Sequence, residues 1–348
     1  MKKKIIPIVA LLLVIVLLAA LQNLLVPKYM TDVVEGALIA EYYDNAGNND
    51  VIFVGDCEVY ENISPIRLYE QYGITSYIRG SAQQLIWQSY YLMEETFRYE
   101  TPEIMVFNVL SMMYGEPQNE AYNRMTLDGM RWSSSKIKSI FASMTDEERE
   151  KDAFWSYVFP ILRYHTRWNE LEKADFTYYF NRRQISHNGY YMRVDVLPVE
   201  RMPTARPLED YQFADVCYEY LDKMRELCEK HGTQFVLFKA PSIYPVWYDE
   251  WDQQIKDYAK EHGLLYINAL EAAEEIGIDW NTDTYDGGLH MNLSGAEKVS
   301  DYLGRVLKEQ SGADLPDRRQ DPEIQNKWQE KIKYYYADKE QQTKELLK

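Results

Sequence analysis

The sequence predicts an α/β domain built on a parallel sheet, placed behind a single apolar N-terminal helix. Two observations predict the sheet. Short apolar runs of strand length recur at residues 51–54, 74–78, 104–109, 234–239 and 264–268. Stretches of helical periodicity separate them, at 82–99, 208–230 and 255–262. Buried strands alternating with helices at these spacings belong to a parallel sheet with right-handed crossovers. A third observation predicts the helix in front: three lysines followed by an apolar run from Ile5 to Leu21, extended by Leu24, Leu25 and Val26.

That first element, residues 1–27, has roughly the 20-residue length that spans a bilayer. Lys2, Lys3 and Lys4 place the N-terminus in the cytoplasm and the rest of the chain outside the cell membrane. Ala19-Ala20 is followed by Leu21-Gln22, a poor cleavage site, so an uncleaved single-pass anchor is expected over a signal peptide. No cysteine follows the run, which leaves no lipoprotein-type attachment site. The 348 residues allow one large domain or two small ones, and 46% hydrophobic content allows a sizeable core. A formal net charge of -17 excludes nucleic acid as a partner, because a phosphate-binding face needs a basic excess. It also argues against docking on an anionic lipid surface beyond the anchor itself.

Residues 28–49 are mixed and polar and read as a stalk with a loop into the first strand. The domain proper is expected over 50–310. Its first strand stops at Gly55-Asp56 and presents Cys57 at the turn. A helix starting there offers amides to a thiolate and to a developing oxyanion. An ordinary turn with a small buried cysteine is the plainer reading. The next strands end at Gly80 and Asn108, on the side where parallel sheets bind ligands. Residues 113–210 break the rhythm and read as a mostly helical insertion over the active-site face. Thr145 with Glu148 marks a helix start there. Arg163, His165, Arg167 and Trp168 are candidate polymer contacts within it, and His187 reads as a solvated loop residue.

Cys217 and Cys228 lie eleven residues apart on one predicted helix, roughly 16 Å and beyond disulfide reach. Both read as core, and Cys57 is left a free thiol. His231 and His262 precede glycines at helix ends, a capping place. His290 remains the best-placed base, in the run Asp286-Gly287-Gly288-Leu289-His290-Met291-Asn292 that opens the last domain helix. The tail, 311–348, is polar; residues 326–348 read as a solvated helix with a narrow stripe of Trp328, Ile332 and Tyr335 or Tyr336. The histidines are scattered and no glycine-rich phosphate loop is visible, so neither a metal nor a cofactor is expected.

A strand ending in Gly55-Asp56 before a nucleophile, with an Asp shortly before His290 and Asn292 opening a last helix, resembles the SGNH/GDSL hydrolases. The likeness covers residues 50–112 and 232–308 and is greatest to their membrane-anchored bacterial cell-envelope branch. It implies a three-layer, flavodoxin-like fold, with Cys57 standing where the family has serine. It implies His290 as base and an Asp behind it. The family position for that Asp holds Gly287, which leaves Asp286, Asp283, or a Cys57–His290 pair that works without a third member. It implies an oxyanion hole of the Cys57 amide, Gly80 and Asn108, although Phe107 and Val109 replace the usual neighbours of that Asn. Asp56, Arg167 and Trp168 are carried as substrate contacts. The implied chemistry is hydrolysis or transfer of an acyl group, O-acetyl first, on a cell-envelope polysaccharide, with a membrane-bound acyl-donor protein as partner. The competing reading is a catalytically inactive protein that binds polysaccharide or scaffolds its acylation and export machinery; a redox-sensitive Cys57 is a third.

Overall fold

The computed structural model of the chain describes residues 2–27, 35–178, 180 and 184–348. Helices α1 (Lys2–Leu25) and α2 (Glu35–Glu41) precede the sheet. Its strands are β1 (Val51–Gly55), β2 (Ser76–Gly80), β3 (Ile104–Asn108), β4 (Gln234–Lys239) and β5 (Leu265–Asn268). All neighbours pair in parallel, in the order β2-β1-β3-β4-β5. This is the flavodoxin-like doubly wound order, and its switch point falls between β1 and β3.

Successive side chains of a strand point to opposite faces, and here both faces are covered. Phe53, Val106, Val236 and Ile267 point to one side, under α3 (Cys57–Asn62) and α4 (Pro65–Tyr72), which follow β1, and two later helices. Ile52, Val54, Met105, Phe107 and Leu237 point to the other, under α5 (Ile86–Thr96), which follows β2, and two helices on either side of β4. The expected three-layer architecture is therefore present, with strands built mainly of apolar residues because neither face meets water; the charged Arg79 and Lys239 within them are buried and paired with Glu95 and Glu58.

The predicted insertion is helical only in its first part: α6 (Glu120–Leu127), α7 (Ser134–Ser143), α8 (Asp146–Glu150), α9 (Phe154–Val158), α10 (Ile161–Tyr164) and α11 (Lys173–Thr177). From residue 184 to Ala214 the chain is irregular. Residues Ile140, Met144 and Tyr157 make a small core of their own with Ile39 and Leu92. Then come α12 (Asp215–His231), α13 (Asp249–His262), α14 (Ala273–Ile276), α15 (Leu293–Gln310) and α16 (Pro322–Leu346). Cys217 and Cys228 are buried in α12 as expected, and Gly232 and Gly263 end α12 and α13 with φ of 72° and 64°.

Three expectations are corrected. Residues 28–34 of the expected stalk lie outside the described residues, but from Glu35 onwards the segment is part of the domain. Leu38, Ile39 and Tyr42 are buried, and Arg79 sits over the Tyr42 ring at 4.0 Å. The polar tail is not a solvated helix: Trp328 stacks on Tyr69 with ring centroids 4.4 Å apart, and Tyr335 is completely buried. The stripe is narrow because only one edge of α16 meets the core. His187 is not solvated either; it is buried and its Nε2 meets Asp338 of α16 at 2.8 Å.

Replacing Trp328 by alanine should remove the lid over Tyr69 and lower stability by about 3–5 kcal/mol. The denaturant midpoint of the full chain in detergent micelles measures it; a midpoint equal to wild type would return α16 to the status of a surface helix.

Candidate active site

Cys57 is the first residue of α3 and is half-buried. The turn that presents it is sterically specified. A Cβ on Gly55 would fall 2.7 Å from the Asn108 Cβ, and one on Gly80 would fall 2.8 Å from Val59 Cγ2. Only glycine lets α3 sit directly on the ends of β1 and β2. Asp56 caps the helix, its carboxylate accepting the Glu58 amide at 3.0 Å.

Two further residues of this short helix look in different directions. Glu58 points down into the sheet and pairs with Lys239, at the end of β4, at 2.7 Å; neither side chain is exposed. Asn62 turns towards the His290 loop, accepting the Met291 amide at 2.7 Å and donating to Ser242 at 3.1 Å.

The loop itself folds around Asp286. One carboxylate oxygen accepts the amides of Leu289 (3.2 Å) and His290 (2.9 Å); the other holds His290 Nδ1 at 2.7 Å. Gly287 and Gly288 make the tight return, with φ of 80° and 102°. The Asp–His pair is thus spaced i, i+4 rather than the i, i+3 that the resemblance implied. Asp283 is committed elsewhere, to Lys298 and to the Asp279 amide, so Asp286 is the one that meets His290. The irregular second part of the insertion stitches both halves together: the Tyr191 amide donates to the Tyr60 carbonyl of α3, and the Leu197 amide to the Thr284 carbonyl of the His290 loop.

Electrostatically the site is crowded with acids. Burial pushes the Cys57 thiol up to about 11, against the lowering pull of His290. Cys57 is therefore a neutral thiol at pH 7 and not a preformed thiolate, which also makes it a poor redox sensor. Burial disfavours the His290 cation, but the Cys57 charge, Glu61 and the Asp286 bond outweigh it and hold the imidazole well above its ordinary range. Glu61 Oε2 lies 3.6 Å from His290 Nδ1 and takes a hydrogen bond from the Tyr285 hydroxyl. Burial raises Glu61 as well. Asp56 is pushed up to about 7 by burial and by Glu58. Burial, with the Asp56 and Cys57 charges, takes Tyr114 up to about 12. His290 Nε2 is buried and finds no hydrogen-bond partner among the described residues.

The structure therefore brings Cys57, His290 and Asp286 together, with Gly80 beneath the turn. Other expected roles are corrected. Asn108 donates both amide hydrogens to carboxylates, to Asp56 and Glu58 at 3.0 Å each, so it supports the turn and does not face an oxyanion. Asp56 is buried in that same network and is a cap, not a substrate contact. Arg167 is bound to Asp175 and the Leu25 carbonyl at the foot of α1. Trp168 is exposed on the same platform, and neither has a contact with Cys57 or His290 among the described residues. A cavity of about 550 Å³ opens at the β5 edge beside Lys256, Tyr266 and Tyr302, and it holds no nucleophile–base pair.

No family model matches the chain, and no curated protein matches it. Two crystal structures are similar to it. One is of a protein from Bacteroides fragilis NCTC 9343 assigned as an acylhydrolase, with TM-score 0.37 and 11% identity over 78% of this chain and 94% of that one. The other is of a GDSL-like lipase from Bacteroides thetaiotaomicron VPI-5482, with TM-score 0.36 and 11% identity over 79% of this chain and 98% of that one.

Glu58, Glu61, Lys239, Tyr285 and Tyr114 were not singled out from the sequence. The one available signal was Lys239, a charge closing an otherwise apolar strand.

Lys239→Ala would leave Glu58 buried without its ion-pair partner, at a cost of about 3–5 kcal/mol. Lys239→Met combined with Glu58→Gln should recover much of that in denaturant unfolding; no recovery would mean that the pair is not what the lysine stabilises. Because the His290 imidazole is held above its ordinary range, its base form grows in as pH rises. The acid limb of kcat/KM should lie above the ordinary imidazole range. Glu61→Gln removes a charge that favours the cation and should move that limb down by about one pH unit. A limb that stays in place would show Glu61 to be uncoupled from the base.

Proposed function

We propose that this chain is an acyl-transfer or ester-hydrolysing enzyme with Cys57 as nucleophile, His290 as general base and Asp286 as the group that orients it. The observation that carries the reading is the pinned imidazole. Asp286 fixes Nδ1 at 2.7 Å and leaves Nε2 without a hydrogen-bond partner among the described residues, and the imidazole lies close enough to Cys57 for each to shift the other's titration. That is the division of labour a nucleophile–base–acid set requires.

In the first half-reaction, His290 takes the thiol proton as Sγ bonds to the ester carbonyl carbon. The carbonyl oxygen becomes an oxyanion facing the amides of Cys57 and Gly80. Collapse breaks the ester C–O bond, and the imidazolium returns the proton to the departing alkoxide. A water or an acceptor hydroxyl then attacks the thioester, its proton passing through His290 to the leaving thiol. A neutral resting thiol fits this sequence, since the proton is moved during attack and not before it.

The substrate we propose is an acyl ester, O-acetyl first, of a cell-envelope polysaccharide, with a membrane-bound protein supplying the acyl group where transfer is the outcome. Support for that placement comes from α1, whose stretch Ile6–Leu25 has mean hydropathy 2.8 and is 6% buried, and from the lysines before it. On this reading α1 is a retained single-pass span and the domain stands outside the cytoplasm.

The test is covalent trapping. The full chain in detergent, given an activated acetyl ester at pH 8–9, should gain one acetyl group by intact mass. The adduct should vanish in Cys57→Ala and form roughly 10²–10⁴-fold more slowly in His290→Ala. A wild-type protein that gains no acetyl group under those conditions would leave a binding or scaffold role in its place.

A further inference from the structure

The foot of α1 is not bare. Leu25 is buried, Arg167 Nη1 donates to its carbonyl at 3.1 Å, and α10, α11 and the turn His165–Asn169 pack on the helix. Arg167 is itself locked to the buried Asp175 by bonds of 3.0 and 3.1 Å. The second half of the helical insertion is thus fastened to the last turns of the apolar helix, at the level where its apolar run ends.

This platform is unusually rich in outward-facing rings. Phe141 stacks on Phe154 (4.7 Å between centroids), Phe154 meets Trp155 (5.7 Å), and Trp155 stacks on Phe159 (6.1 Å). Trp155 and Phe159 are about half exposed, and Leu162, Trp168 and Phe176 more so, Trp168 reaching 71%. A continuous apolar face of this kind marks an interaction surface. Its charges do not define it: Arg167 is paired with Asp175 and Arg163 with Glu120. Tryptophan and phenylalanine at the junction between an apolar helix and a polar domain have the composition of the membrane–water boundary.

We propose that α9 to α11 form a membrane-interface collar: the ring-bearing face lies in the headgroup layer of the bilayer that α1 crosses. The occupant of the face is lipid, and its attraction is apolar, so zwitterionic phosphatidylcholine suffices and anionic lipid adds nothing. The proposal rests on the reading of α1 as a retained span, and it explains why the insertion is built against Leu25. Cleaving α1 would strip the platform of its partner.

The test uses the full chain reconstituted in phosphatidylcholine vesicles, with and without phosphatidylcholine brominated near the headgroup end of its acyl chains. Bromine quenches tryptophan at contact range; Trp87, Trp247, Trp251 and Trp328 are buried in the domain and Trp280 is half-buried, while Trp132, exposed near the foot of α1, is replaced by phenylalanine in a control chain that measures its share of the quenching. Wild-type emission should be quenched, and the Trp155→Phe/Trp168→Phe variant should lose most of that quenching at unchanged circular dichroism. Both positions are exposed, so the fold should tolerate the change. Carbonate washing separates the two levels of the claim. A chain that stays in the vesicles but is quenched equally with and without the two tryptophans overturns the collar alone. A chain released into the wash overturns the span and the collar together. A detergent-solubilised dimer that the substitutions dissociate, with quenching unchanged, would give the face to a second copy of the chain and overturn the proposal.

Discussion

The site depends on one buried ion pair, Glu58 with Lys239. The helix that carries the thiol is only six residues long, far too short to hold its shape by propensity. It is positioned instead by what its side chains reach. Glu58 ties it to the end of β4, Asn62 ties it to the His290 loop, and Asp56 caps it while accepting from Asn108. Taking two charges out of water is costly, and the surrounding hydrogen bonds must offset that cost. Here Asn108 donates to Glu58 and Lys239 donates to the Ala240 carbonyl. Geometry, not net stability, is what such a pair supplies: it fixes α3 relative to two strands and a loop far away in sequence.

The same crowding decides the chemistry. Burial keeps the thiol protonated, where helix amides and a cation alone would favour a preformed thiolate. The surroundings suit a nucleophile that is deprotonated by its base during attack.

The strand pattern and the Gly55-Asp56-Cys57 turn were legible because both are local: apolar runs of strand length, and a glycine where β1 crowds β3. Asp286 before His290 was legible as a spacing, although a choice from Asp283 needed the two carboxylates' actual partners. Glu61 and Tyr285 were not legible, since their roles exist only once α3 and the His290 loop are side by side. Asn108 was read at the right place in the sheet with the wrong partner, because nothing in the sequence says that two carboxylates will claim its amide. Residues 35–49 misled through their polar composition. Leu38, Ile39 and Tyr42 are enough to bury a short helix against its neighbours.

The last helix has a consequence for how the chain is made. Trp328 and Tyr335 close the same face of the sheet that Phe53 and Val106 begin. That face stays open to water until α16 itself has been made, long after the strand that begins it. A stop codon before Trp328 would yield a chain whose sheet is finished but whose roof is missing over Tyr69 and Tyr190.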